Sequence, residues 1–421
     1  MPKRAVSEFD DADRSWHTAL PDWRATGLSM AVVGSAAFNG VGALGAAAIA
    51  AVVIYALDRL HRHAPQSAST ADLVGSTLGG AAARFSSLIQ LAAYTVLGAA
   101  TAIGLGLQPL TSSADIVAAL SSWWWPAWSV AVVVIAAAVV ALVPTRTLGA
   151  VTAVLAAAGL LVFFYLALAI VARVASGTDP VPFGSAESTS TLLVVTALIP
   201  LGLGLVGFEA ATAGRGRLRS VGRPLGAAVG VTALCATTVL LATNVGLTGG
   251  FQYDTNNFSL IVMEFFGTPG RYWLIVGTVS LGSAAVLALI WATTRVAGRV
   301  FGAGPATSIL TAAATGAVAV VLCRFHDTVD STLLTAGALL LLVLYVVITE
   351  ANSRLAGTPA ATQTPRVLMA VVLGCVVLIP LRANDFVVES LWPVAVTAVV
   401  AGAAALLAGV GRSAQPAPQP R

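Results

Sequence analysis

The sequence predicts an all-α integral membrane protein, and three observations carry that prediction. Apolar stretches repeatedly reach or exceed the roughly 20 residues that span a bilayer core as a helix. Charge is scarce: 10% of the 421 residues are charged and 57% are hydrophobic, where a soluble domain carries about a quarter charged residues. Third, arginines gather in every second connection between the apolar stretches, the asymmetry expected of a chain that crosses a membrane repeatedly.

About eleven apolar segments follow one another, near 27–60, 84–108, 127–145, 149–174, 190–213, 225–248, 272–297, 304–323, 332–352, 366–381 and 389–411. A helix satisfies every backbone amide within its own segment, which a spanning element must do. A barrel would need alternating runs of about 10 residues, and these runs are longer and do not alternate. Mean hydropathy is +0.89.

From residue 60 onward one set of connections holds Arg59, Arg62, Arg84, Arg146, Arg215, Arg217, Arg219, Arg223, Arg295, Arg299, Arg354, Arg366, Arg412 and Arg421, and the other only Arg173, Arg271, Arg324 and Arg382. The first set is expected in the cytoplasm, together with the C-terminus, in a multi-pass protein of the cell membrane. The sparse side includes Trp123, Trp124, Trp125 and Trp128, expected as an interfacial aromatic belt, and a loop over 249–271. The net charge of +4 forms no patch, so a nucleic-acid partner is not expected. The expected organisation is a cytoplasmic or interfacial segment 1–24, a transmembrane core 25–381, a final helical region 382–411 and a disordered tail 412–421.

Cys235, Cys323 and Cys375 each lie in an apolar segment and read as small hydrophobes. His17, His61, His63 and His326 form no metal constellation, and His61 and His63 are expected in a solvated loop. No metal and no cofactor are expected. The first 24 residues hold no apolar core of the kind a cleaved leader has.

Segment 27–60 departs from the regular count. Ser29 to Leu60 as one helix would be about 48 Å long, too long for one untilted crossing and too short for two. Within it Gly34, Gly40, Gly42 and Gly45 interrupt the apolar run beside Ser35 and Asn39. A second interrupted stretch, 202–224, carries Gly202, Gly204, Gly207 and Gly214 around Phe208 and Glu209, then an arginine-rich connection. Two broken helices in corresponding places point to an inverted-repeat transporter, whose breaks bare backbone groups near mid-membrane. Glu209 within such a span needs either a purpose or a partner. The alternatives are a cavity-lining, proton-binding acid and an acid that snorkels to the interface or pairs with a nearby arginine. Gln90 and Tyr94 stand four apart on one helix face and read either as cavity lining or as interhelical hydrogen bonding. Ser280, Ser283 and Thr293 offer hydroxyls to a sodium ion, though such residues are ordinary in membrane helices. Trp291 either gates a pathway or fills the bundle.

The stretch Gly207–Pro224 resembles the sixth helix of the amino acid–polyamine–organocation (APC) superfamily. Residues 33–42, VGSAAFNGVG, resemble that family's first-helix glycine–serine motif, with Ala36 where a glycine is usual. Residues 55–75, from Tyr55 through Asp58 to Gly75, are similar to its pattern after the second helix, residues 277–299 to its eighth helix, and Tyr345 to its tenth-helix tyrosine. The resemblance implies a LeuT-type 5+5 inverted-repeat bundle of about 11–12 transmembrane helices. It also implies a secondary active permease for amino acids or related amines, working by alternating access with a proton, sodium or exchange as the driving partner, and not an enzyme. Gly34, Ser35 and Ala36 would offer backbone to the substrate, Gly207, Phe208 and Glu209 would form the other wall, Tyr94 and Trp291 would flank it, and Glu209 would couple protons. The chain departs from the pattern between Gly34 and Tyr55, 21 positions apart, which is shorter by about one bilayer crossing. That shortening makes a non-transporting sensor or partner protein on the same scaffold the competing reading. A membrane-embedded enzyme would place an Asp, Glu, His or Lys cluster at one face, and the sequence shows none.

Overall fold

The computed structural model describes residues 22–34, 42–67, 69–111, 123–177, 207–213, 221–245, 258–324, 326–382 and 392–410. Twelve α-helices are described within them: α1 (Asp22–Val33), α2 (Gly42–His63), α3 (Thr70–Leu78), α4 (Gly80–Thr111), α5 (Trp124–Leu142), α6 (Thr145–Ala175), α7 (Gly222–Val245), α8 (Phe258–Val300), α9 (Pro305–Arg324), α10 (His326–Ala356), α11 (Pro359–Arg382) and α12 (Trp392–Val410). A short 3₁₀ helix, Phe208–Ala213, stands between α6 and α7. Seven of the described helices are long and apolar enough to cross a membrane.

The packing is inverted relative to a soluble protein. Large apolar side chains point outward, among them Ile135 at 63%, Leu161 at 65% and Leu142 at 82% exposure. The interior holds many alanines, such as Ala93, Ala156, Ala228, Ala284 and Ala292. Small residues let helices approach closely, and only a hydrocarbon solvent tolerates such an outer surface. Buried threonines spend their hydroxyls on their own helices: Thr152 donates to the Leu148 carbonyl, Thr243 to Val239 and Thr293 to Leu289. Such back-bonding satisfies a polar group without a neighbour.

Helix α8 packs along both α4 and α6, and α1 lies against α6 and α7. Arg299 reaches Asp72 at 3.8 Å, Arg295 donates to Thr145 at 3.1 Å, and the Gly222 amide donates to Asp58 at 3.0 Å. These contacts bring together the α2–α3 corner, the α5–α6 junction, the start of α7 and the end of α8. Arg173, from the sparse set, instead donates to the Phe265 carbonyl.

In segment 27–60, read as interrupted from Gly34 onward, one helix runs from Asp22 to Val33 and a second starts at Gly42. Four expectations are corrected. Gly42 and Gly45 lie within a helix rather than interrupting one. The loop expected over 249–271 is helical from Phe258, and the chain turns at Gly267, where φ is +58°. A glycine is the residue that adopts that backbone without a Cβ penalty. His61 and His63 close the last turn of α2 rather than lying in a loop. Trp125 is not part of the aromatic belt: it is 3% exposed, and its indole donates to the Ile103 carbonyl at 3.2 Å. Trp123, Trp124 and Trp128 do face outward. Segments 1–21 and 411–421 lie outside the described residues.

Candidate functional site

Gly207 opens the site. Its φ of +90° is a left-handed conformation available to glycine at little cost, and the chain leaves it as a 3₁₀ turn of six residues. A turn of that kind cannot continue the α-helical ladder, so backbone groups here must find partners elsewhere. The Gly207 amide donates to the hydroxyl of Tyr345, on α10, at 2.9 Å.

Two residues on, Glu209 is completely buried. Its Oε2 accepts from the Tyr345 hydroxyl at 2.6 Å and its Oε1 from the Tyr94 hydroxyl, on α4, at 2.8 Å. Gln90 donates to Tyr94 at 3.4 Å, one turn back on α4. Each tyrosine therefore accepts one bond and gives its single proton to the acid, which uses both functions of a phenol. The ring of Phe208 lies 5.2 Å from that of Tyr345. Below the acid, Thr212 donates to the Glu209 carbonyl at 2.6 Å, and its hydroxyl also meets that of Thr70 on α3. One broken turn is thus tied to α3, α4 and α10 at once.

Among the described residues no cation pairs with Glu209, and the acid is buried rather than reaching an interface; Arg215, Arg217 and Arg219 lie outside the described residues. Burial is tolerable because two hydroxyl donors replace the water that a carboxylate would otherwise lose.

Of the residues expected at the site, Glu209, Gly207, Phe208 and Tyr94 come together. Tyr345, picked out earlier only by its resemblance to a tenth-helix tyrosine, joins them through two bonds. A tyrosine in a span, whose hydroxyl needs a buried partner, was the signal for that role. Gly34 directly follows α1, and a Cβ there would stand 2.7 Å from the Leu281 side chain of α8. A Cβ on Gly207 would stand 2.7 Å from Val32, also on α1. Both glycines thus serve close apolar packing between α1, α8 and the broken turn. Ser35 and Ala36 lie outside the described residues. Trp291 is 2% exposed, and its indole nitrogen has no hydrogen-bond partner among the described residues. Asn244 donates to the Leu240 carbonyl of its own helix. Cys235 lies against the Leu160 carbonyl, and Cys323 against the Ser129 hydroxyl. Among the described residues no three His, Cys, Asp or Glu side chains converge on a metal-sized space.

This architecture is similar to that of solved transporters. A manganese transporter of Eremococcus coleocola, in complex with an aromatic bis-isothiourea substituted compound, superposes with a TM-score of 0.58 at 10% identity, covering 94% of this chain and 97% of that one. A Na+-coupled sialic acid symporter in a substrate-bound, outward-open state superposes with a TM-score of 0.50 at 12% identity, covering 93% and 90%. The chain is therefore an all-α integral membrane protein of the LeuT-type 5+5 inverted-repeat fold. No protein-family profile matches it, and no curated protein matches it either.

Proposed function

We propose that this protein is a secondary active transporter, an alternating-access permease of the APC type for amino acids or related amines, with Glu209 as the proton-coupling acid. The observation that carries the reading is the buried carboxylate seated on a broken turn, held by two hydroxyls from other helices and by no described cation. An acid so placed changes its hydrogen bonding when it takes a proton, because the protonated oxygen becomes a donor and a weaker acceptor, which weakens the bond it receives. The two bonds at stake are those that join this turn to α4 and α10. Protonation and helix movement are coupled in this way through one residue.

The fold is shared with transporters of quite different cargo, so the substrate class rests on the resemblance of Gly207–Pro224 and its companion motifs. A manganese cargo like that of the Eremococcus coleocola protein finds no support in the donor sets of the described residues.

The test is uptake in proteoliposomes with a panel of labelled amino acids and amines, with and without an inward proton gradient. The proposal expects gradient-driven accumulation of one class. It further expects Glu209→Gln to abolish the response to the gradient while leaving counterflow exchange measurable. Gradient-driven uptake undiminished in Glu209→Gln would refute the assignment.

The second reading, a non-transporting membrane protein on this scaffold, draws on a specific observation. Gly34 and Gly207 both abut apolar side chains, Leu281 and Val32, where a permease would offer backbone to substrate. Absence of uptake and of counterflow across the panel, in protein that is monodisperse and folded, would favour it.

A further inference from the structure

A cleft of about 640 Å³ lies between the end of α10 and the first turns of α11, away from Glu209. Its two ends differ in chemistry. Glu350, Arg354 and Arg366 line one end, and Val346, Met369 and Leu373 line the other. Arg354 is engaged by Glu350 through its Nε at 3.0 Å. Arg366 is exposed, and among the described residues it has no ion-pair or hydrogen-bond partner. The cleft therefore carries one uncompensated positive charge at its polar end and an apolar channel behind it.

Position along the helix gives this pattern its meaning. In α11 the residues before Arg366 read PAATQTP, and those after it read VLMAVVLGCVVLIPL. Arg366 thus stands where a polar stretch gives way to an apolar run long enough to enter the hydrocarbon. It also belongs to the arginine-rich set of connections, which the alternation of charge assigns to one membrane face. A basic pocket between membrane helices at the headgroup level, with an apolar groove running inward, has the shape of an amphiphile with an anionic head.

We propose that this cleft binds an anionic phospholipid, with its phosphate on the Arg366 guanidinium and an acyl chain along Val346, Met369 and Leu373. Arginine suits the head because its planar fork pairs with two phosphate oxygens. Glu350 sets the affinity from the other side: it occupies Arg354, which would otherwise add a second donor fork to the phosphate.

Native mass spectrometry of the full-length protein, released from detergent with dioleoyl phosphatidylglycerol or dioleoyl phosphatidylcholine added, tests the proposal. Phosphatidylglycerol should be retained over phosphatidylcholine, and Arg366→Gln should lower its retention about fivefold, the weight of one basic residue at a lipid surface. Glu350→Gln should raise retention, a gain that misfolding cannot produce. Ala370→Trp, which fills the cleft without changing charge, should lower it. Excess inorganic phosphate should leave the bound lipid in place. Retention unchanged by Arg366→Gln, or by Ala370→Trp, would overturn the site. Displacement of the lipid by inorganic phosphate would make it an anion site with no acyl groove.

Discussion

Replacing Tyr345 by phenylalanine should destabilise this protein more than the same change at Tyr94, and the hydrogen-bond inventory sets the difference. Tyr94 gives one bond to Glu209 at 2.8 Å and receives a long one from Gln90 at 3.4 Å. A hydrogen bond between membrane helices contributes about 0.6–2 kcal/mol, and the acceptor here is an acid, so Tyr94→Phe should cost about 1–2 kcal/mol. Tyr345 gives a shorter bond to Glu209 and also accepts from the Gly207 amide. Its loss removes a comparable bond and leaves a buried N–H with no acceptor, for about 1–3 kcal/mol more. The expected total is about 2–5 kcal/mol. Reversible unfolding in mixed micelles of increasing SDS content, followed by tryptophan fluorescence, measures both variants on one scale. The companion measurement is a double-mutant cycle with Glu209→Ala. In that background Tyr94→Phe should become nearly neutral, while Tyr345→Phe should retain the part due to Gly207. Equal costs for the two tyrosines, or a Tyr345 cost wholly absent from the alanine background, would refute the division of labour described for this hub.

Other substitutions follow from the same contacts. Gly207→Ala should destabilise by about 1–2 kcal/mol through its left-handed backbone alone, and the contact with Val32 adds to this. Val32→Ala in the same chain should recover only the contact part, as read from unfolding midpoints. Asp58→Ala removes the acceptor of the Gly222 amide at the start of α7 and should cost about 1 kcal/mol, as loss of a helix cap does. Asp58→Asn, which keeps an acceptor oxygen, should cost less. Trp125→Phe should lower stability by about 1 kcal/mol by stranding a bond to a buried carbonyl, whereas Trp123→Phe should be silent. Brominated-lipid quenching should reach Trp123 and Trp128 and spare Trp125.

Much of this architecture was legible because a bilayer constrains a chain so strongly. Helical spans must be apolar along their length, so segments 84–108, 149–174 and 304–323 could be read within a few residues of α4, α6 and α9. The alternation of the arginines is a pattern of the same origin, since charge is costly to translocate. Hydropathy alone fails for a short helix: Phe258–Phe266 is apolar but ends at the Gly267 turn, too short to cross a bilayer, and so read as loop. Composition is equally blind to a partner, so the aromatic belt absorbed Trp125, whose indole a neighbouring helix had claimed.

Composition and spacing alone determined that the chain crosses a membrane many times as helices, that it breaks near Gly207, and that Glu209 sits where an acid needs a reason. These properties are local, each set by a residue's own transfer energy or backbone freedom. Only the tertiary structure decided what that reason is. Tyr94 lies 115 positions from Glu209 and Tyr345 lies 136, and no local rule links a phenol to an acid at such separations. The same holds for Gly34 and Leu281, and for the cleft that joins Arg366 to α10. Proximity between distant segments is a product of packing, and packing chooses partners by shape and hydrogen-bond need once the helices have formed.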